Sequence, residues 1–198
     1  MRSYMYIPLN GKGSEGKFAI VDVLDYHLIA PYEWSICPKG RYARCKTNKK
    51  IIFMHRVIMD ARKGELVDHK FGNGLDNRRK NLRKCSTTQN ARNRKVEKIH
   101  KGEPKTSRYK GVYWDKQKFY WRAAIRVDKH VTPLGRFIVE EDAARMYDAA
   151  ARYYYGEFAR TNFEDTLVLS VNEIRQLSRK KKGAKAASIT SAVACLNF

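Results

Sequence analysis

Acidic residues are scarce in this chain. Its 20 Asp and Glu stand against 41 Lys and Arg, which gives a formal net charge of +21 and a pI near 10. A field of that sign favours a polyanion and speeds encounter with it. Cysteine is also scarce, with four residues at 37, 45, 85 and 195. No two stand at C-x-x-C spacing, which argues against a zinc ribbon. Cys37 and Cys45 could face each other across a hairpin, but reduced thiols, and with them a cytosolic compartment, are the expectation. Long apolar runs are missing as well. No stretch approaches the roughly 18 residues of a membrane-spanning helix, and the N-terminus lacks a signal-peptide core. The expectation is therefore a chain that is neither membrane-bound nor secreted.

What is present is concentrated between residues 65 and 95. Asp68 and His69 are adjacent, Asn81 follows twelve residues after the histidine, and Asn90 nine residues later. Eight Lys or Arg crowd positions 78 to 95. Glu65 to His69 is β-prone, and Gly72-Asn73-Gly74 supplies a turn. Asn81-Leu82-Arg83 can return as a second short strand. Ser86 and Gln89 form a capping box, which predicts a helix from Thr87 to about Lys95 with Asn90 in its early turns. A carboxylate and an amide carbonyl suit Mg²⁺ or Mn²⁺ better than zinc. A regular strand would point Asp68 and His69 to opposite faces, so a bulge or a strand end is needed for both to serve one site.

Four segments carry a resemblance: Met54-His55-Arg56, Val67-Asp68-His69, Asp76 to Leu82, and Gln89 to Asn93. Together they resemble the HNH homing endonucleases of phages and introns. The resemblance implies a ββα-metal module with Asp68 and Asn90 as ligands of one Mg²⁺ or Mn²⁺. It implies His69 as the general base, and Asn81 as the residue that braces the hairpin and orients the histidine. His55, beside the apolar run Val57-Ile58-Met59, reads as packing or hairpin bracing. His27, His100 and His130 have no evident partners. Arg78, Arg79, Arg92 and Arg94 are candidate DNA contacts.

A second informative region begins at Ser107. Tyr109 to Trp114 and Tyr120 to Val127 alternate aromatic or apolar residues with basic ones. That pattern gives one face to a core and the other to water. Thr132 to Phe137 makes a third strand, with Pro133 tolerated at an edge or end. Glu140 to Tyr155 has helical spacing, and Gly156 ends it. Lys110, Arg122 and Arg126 fall on the wet face, and a ribbon of this width fits a DNA major groove. Tyr109 to Val112, Trp121 to Arg126, Leu134 to Phe137, Glu141 to Asp148 and Ala159 to Phe163 are similar to the plant AP-two/ERF DNA-binding domain. By that resemblance Lys110 and Arg126 inherit base or phosphate contacts. Tyr113 stands where plant members often carry arginine, and Val131 and Pro133 replace DNA-contacting residues. The fold carries over; the plant sequence preference does not. Trp121 and Tyr147 read as core.

The expected class is α+β. Residues 1–54 form a β-rich module, with candidate strands at 5–9, 17–21, 34–37, 41–45 and 51–54 and a short helix from Asp22 to Ala30. Residues 55–98 form the nuclease module, 99–106 a linker, 107–163 the sheet-and-helix domain, and 164–198 a short helix and basic tail. The function these readings imply is a metal-dependent, site-specific DNA endonuclease of a phage or mobile element. A His-activated water would hydrolyse the phosphodiester, and a single copy would act on double-stranded DNA at an asymmetric site, in the host cytosol if phage-encoded. The alternative is a DNA-binding transcriptional regulator with an inactive nuclease module. An RNA-binding protein fits less well, because the narrow major groove of double-stranded RNA does not admit the sheet.

Overall fold

Tyr4–Pro8 (β1) and Phe18–Asp22 (β2) pair antiparallel from Tyr4↔Asp22 to Pro8↔Phe18. Their alternation turns Ile7, Ala19 and Val21 inward and leaves Tyr6 and Phe18 exposed, as period two requires. This computed structural model describes residues 3–38, 40–47, 50–94, 99–100, 103–104, 106–164 and 172–173. It is a mixture of α and β built from several small antiparallel sheets and few helices. Two units are distinguished, Met1–Asn93 and Arg94–Phe198.

In the first unit the sequence continues through a 3₁₀ turn, Val23–Asp25, into α1 (Tyr26–Ile29). A three-stranded sheet follows: β3 (Ser35–Ile36), β4 (Ala43–Lys46) and β5 (Ile51–Phe53), in that order. Helix α2 (Met54–Ile58) starts directly from β5. Then come β6 (Leu66–His69) and β7 (Leu82–Cys85), paired Leu66↔Cys85 through His69↔Leu82, and α3 (Thr87–Arg92). Both halves of the capping box are present: the Gln89 N–H donates to Ser86 Oγ (3.2 Å) and the Ser86 N–H to Gln89 Oε1 (2.8 Å). Ile7, Val21, Ile29, Trp34, Met54, Ile58 and Leu82 belong to one apolar core, so residues on both sides of position 54 share it.

The loop before β7 is tied to the N-terminal ribbon. The Ile20 N–H donates to Leu75 O (2.8 Å) and the Asn77 N–H to Ile20 O (2.7 Å), which makes a short parallel bridge at Ile20↔Asp76.

The second unit opens with a minimal ladder, β8 (Ile99–His100) with β9 (Glu103–Pro104), inside the segment expected as linker. Strands β10 (Val112–Asp115), β11 (Tyr120–Val127) and β12 (His130–Phe137) form an antiparallel sheet in chain order. Helix α4 (Glu140–Tyr155) lies against it. Val112, Ala123, Ile125, Leu134 and Phe137 meet Ala143, Ala144, Tyr147 and Ala150 in the core. Pro133 lies within β12 at a register shift between Ala123 and Ala124. Pro133 has no N–H to give to the ladder, and the register shift beside it is the irregularity that a proline inside a sheet demands. The candidate helix around Ser170 and the basic tail lie mostly outside the described residues. Among the described residues no helix is long and apolar enough to cross a membrane.

The first strand of this sheet starts at Val112 rather than Tyr109. Gly111 has φ +76°, and a Cβ there would lie 1.8 Å from the Tyr147 ring. Gly111→Ala should therefore cost about 2–5 kcal/mol, from overpacking plus a left-handed backbone. Urea unfolding followed by tryptophan fluorescence measures this; a change under about 0.5 kcal/mol would contradict the packing described.

Candidate functional site

Asp68 and His69 end β6, and both are buried. The Asp68 carboxylate faces its cross-strand partner, Arg83. Arg83 Nε and Nη2 donate to Asp68 Oδ2 at 3.1 and 2.8 Å, and Asn93 Nδ2, one residue past α3, donates to the same oxygen at 2.9 Å. Oδ2 thus takes three donors, while Oδ1 takes none among the described residues. Asn93 also donates to the main-chain carbonyls of His69 (3.0 Å) and Lys70 (3.3 Å) and so fastens the helix end to the strand end. Asn90 lies one helical turn before Asn93 and is half-buried. Among the described residues its side chain makes no hydrogen bond.

His69 closes the strand. Its ring is bounded by Asn77, whose Oδ1 is 3.4 Å from Nε2, by the His55 ring at 5.1 Å and by the Tyr42 ring at 5.5 Å. Burial pulls the His69 imidazole below its usual value, opposed by the Asn77 hydrogen bond and the charges of Asp68 and Asp76. The ring is therefore neutral at pH 7, as a proton acceptor must be.

Asn81 is wholly buried, and its amide closes the loop between the strands. Oδ1 accepts the Phe71 N–H (2.9 Å), and Nδ2 donates to Asp76 O (2.6 Å) and Asn73 O (3.3 Å). One side chain thereby binds both ends of the 70–81 loop, which needs the donors and the acceptor that an amide combines. Gly74 lets that loop approach the preceding sheet, since a Cβ there would lie 2.1 Å from Arg41 O and 2.7 Å from the Tyr42 ring.

His55 is pushed down to about 3, chiefly by burial and next by the charges of His69 and Arg56. Its Nδ1 is buried with no hydrogen-bond partner among the described residues, and the ring stacks on Phe53 at 5.6 Å. The sign of the pH dependence follows. Above pH 6.5 the ring is neutral folded or unfolded. Between 6.5 and about 3 the unfolded chain binds a proton that the folded chain refuses, so stability falls as pH falls. At pH 4.5 the loss from His55 is about 2–3 kcal/mol, two pH units below 6.5 at about 1.4 kcal/mol each. Urea midpoints at pH 7.5 and 4.5 should diverge less in His55→Phe than in wild type; equal divergence contradicts the assignment.

The basic residues are unequally free. Arg78 clamps Asp76 through Nε and Nη2 (2.8 and 2.7 Å) and lies over the Tyr4 ring. Burial pushes the Asp76 carboxyl up, but its hydrogen bonds from Arg78 outweigh that and hold it below the usual range. Arg79 is bidentate to Asp25, and its N–H donates to Asp22 Oδ2 (2.8 Å), which ties the loop to the N-terminal ribbon. Arg92 is half-buried and Arg94 exposed.

On the sheet of the second unit, Tyr113 is opposite Arg122, and Arg122 is opposite Arg136. Arg122 pairs with Asp115 and donates to Tyr120 Oη (3.2 Å). Hydrogen bonding to Tyr113, then to Asp115 and Tyr120, raises its pKa. Arg136 lies over the Tyr120 ring at 5.0 Å, and Arg126 is exposed. Lys110 is different. It lies two residues before β10, its ammonium donates to Arg94 O (3.0 Å), and burial pushes it down to about 8.

The structure thus brings Asp68, His69 and Asn81 onto one hairpin, and the Asn of α3's end that reaches Asp68 is Asn93. Sequence reasoning missed Asn77, Arg83, Asn93 and Tyr42. Arg83 could have been found from the hairpin register, and Asn93 from its position three residues after Asn90 on one helical face. Tyr42 carries no local signal, because its contact with His69 exists only through the fold. Among the described residues no three His, Cys, Asp or Glu gather as a metal cluster. The candidate donor set is one carboxylate oxygen, Asp68 Oδ1, and one amide oxygen, that of Asn90. These hard oxygens fit Mg²⁺ or Mn²⁺.

No family model matches the chain. Over 164 residues it is 26% identical to an uncharacterised HNH endonuclease of Acanthamoeba polyphaga mimivirus, covering 81% of this chain and 82% of that protein. Over 83 residues it is 41% identical to an ethylene-responsive transcription factor-like protein of Arabidopsis thaliana. That match covers 42% of this chain and about a third (32%) of the plant protein.

Proposed function

We propose that this chain is a metal-dependent DNA endonuclease of the HNH type. The observation that carries the reading is a neutral, buried His69 beside Asp68, whose Oδ1 accepts no hydrogen bond among the described residues, on a hairpin that leads into α3. The likeness to a viral HNH endonuclease along most of both chains supports it. His69 takes a proton from water, and the water attacks the phosphate in line. Asp68 and Asn90 would hold a divalent cation, which stabilises charge on the attacked phosphate and the leaving 3′-oxygen. Arg83 already neutralises the Asp68 carboxylate, so the protein alone holds the cation weakly and the DNA phosphate completes its shell. Asn81 keeps the loop closed around this arrangement.

The sheet of residues 112–137 is the second DNA contact, through Arg126, Arg136 and the Arg122–Tyr113 pair. Partial likeness to a plant transcription factor-like protein supports it. A hairpin of this size reads little sequence, so specificity is shared: one copy binds a long asymmetric site, with the sheet anchored away from the cut. The chemistry is tested by the product termini. In-line attack by water with a 3′-oxygen leaving group must yield 3′-hydroxyl and 5′-phosphate ends that ligase rejoins. Ends that carry 3′-phosphate would overturn the reading.

A further inference from the structure

Asn77 has no place in the chemistry above, yet it is fully buried, at 0% exposure. A buried amide requires partners for its donors and its acceptor. Its main-chain N–H is spent on Ile20 O, which anchors the residue to β2. Its side-chain Nδ2 donates to Leu75 O at 3.1 Å. That bond fixes which way the amide faces, because the carbonyl of Leu75 accepts only from nitrogen. Oδ1 is thereby the atom turned to His69 Nε2, at 3.4 Å, the long end of hydrogen-bond range.

An amide oxygen accepts and cannot donate. A neutral imidazole carries its proton on one nitrogen, and the hydrogen bond made by one nitrogen sets the state of the other. We propose that Asn77 is a positioning residue that selects the Nε2–H tautomer of His69 and leaves the Nδ1 lone pair as the proton acceptor. This rests on the reading of His69 as the general base. The surroundings support it by preventing the ring from turning over. The His55 ring stands edge-on to His69, with 76° between the planes, and the Tyr42 ring covers it at 33°. Gly74 brings the Asn77 loop against Tyr42, since any Cβ there would strike the Tyr42 ring and Arg41 O. The acceptor Asn77 and the Tyr42 wall are thus held together by one contact at Gly74, while α2 supplies the His55 wall.

The test uses the full chain with ¹⁵N-labelled histidine at pH 8, without DNA. Long-range ¹H–¹⁵N spectra distinguish a protonated Nε2 from a protonated Nδ1. The wild type is expected to show Nε2–H at His69. Asn77→Asp keeps an acceptor and should keep that tautomer; Asn77→Leu should lose it. In cleavage assays Asn77→Leu should lose about 10²-fold in kcat with KM little changed, the pattern of a misoriented base, and Asn77→Asp should recover part of the loss. A wild-type His69 with Nδ1–H, or with an even mixture, overturns the proposal even if no variant folds. So does a folded Asn77→Leu that cuts at the wild-type kcat while His69→Ala is dead. The expected tautomers together with no cleavage by the wild type would uphold the selection by Asn77 and sink the nuclease reading instead.

Discussion

His69→Ala is expected to cut DNA about 10²- to 10⁴-fold more slowly than the wild type, the usual range for loss of a general base. The physical basis is local. The imidazole is neutral because burial outweighs the Asn77, Asp68 and Asp76 contributions, and no other described side chain in the hairpin offers a comparable acceptor next to Asp68. DNA affinity should change little, because it comes from many phosphate contacts spread over a chain of net charge +21. Gel-shift and single-turnover cleavage on the same duplex separate the two. Unchanged cleavage by His69→Ala removes the assignment; equal loss of binding and cleavage means the residue holds structure instead.

The second large effect is on stability as well as activity. Asp68 faces and pairs with Arg83 across the hairpin, and both are almost fully buried. Asp68→Ala removes one partner of this buried ion pair, a change that costs about 3–5 kcal/mol. Asn93 loses one of its three acceptors at the same time and keeps the carbonyls of His69 and Lys70. Cleavage should vanish and should not return with added Mg²⁺ or Mn²⁺. Asp68→Asn keeps an oxygen toward Arg83 and Asn93 and should recover much of the stability without the activity. Thermal unfolding and cleavage measured on both variants test this. Asp68→Ala as stable as the wild type contradicts the ion pair, and an active Asp68→Asn contradicts the need for a charged oxygen.

Local rules were legible where one segment decides its own structure. The capping box at Ser86 and Gln89 marks the start of α3, and the helical spacing of alanines marks α4 over Glu140–Tyr155. The alternation from Tyr120 to Val127 gives β11 its buried Ala123 and Ile125. What was not legible depends on segments far apart. The strand expected over 51–54 is present as β5, which covers Ile51–Phe53, but the helix that starts at Met54 was not foreseen; α2 forms there with Met54 and Ile58 in the core beside Ile29 and Trp34. The end of α3 at Arg92 rather than Lys95 follows from Asn93, whose amide is drawn to Asp68, His69 and Lys70. The chain-order pattern of Asp68, His69, Asn81 and Asn90 could be read directly, but the partners of each could not. Arg79 illustrates the limit: as a basic loop residue it reads as a phosphate contact, whereas the fold delivers Asp25 and Asp22 to it from fifty-odd residues away.

DNA cleavage by this chain is the property on which the roles of His69, Asp68 and Asn77 depend. It is tested most directly by incubating the full chain with supercoiled plasmid and with phage genomic DNA, in Mg²⁺, in Mn²⁺ and in EDTA, with binding followed in parallel. Nicked or linear product is expected in either metal, none in EDTA, and restoration when metal is added back. Binding without cleavage in both metals, or full cleavage in EDTA, would contradict it. The first of these results would identify the chain as a DNA-binding regulator whose hairpin has lost its chemistry.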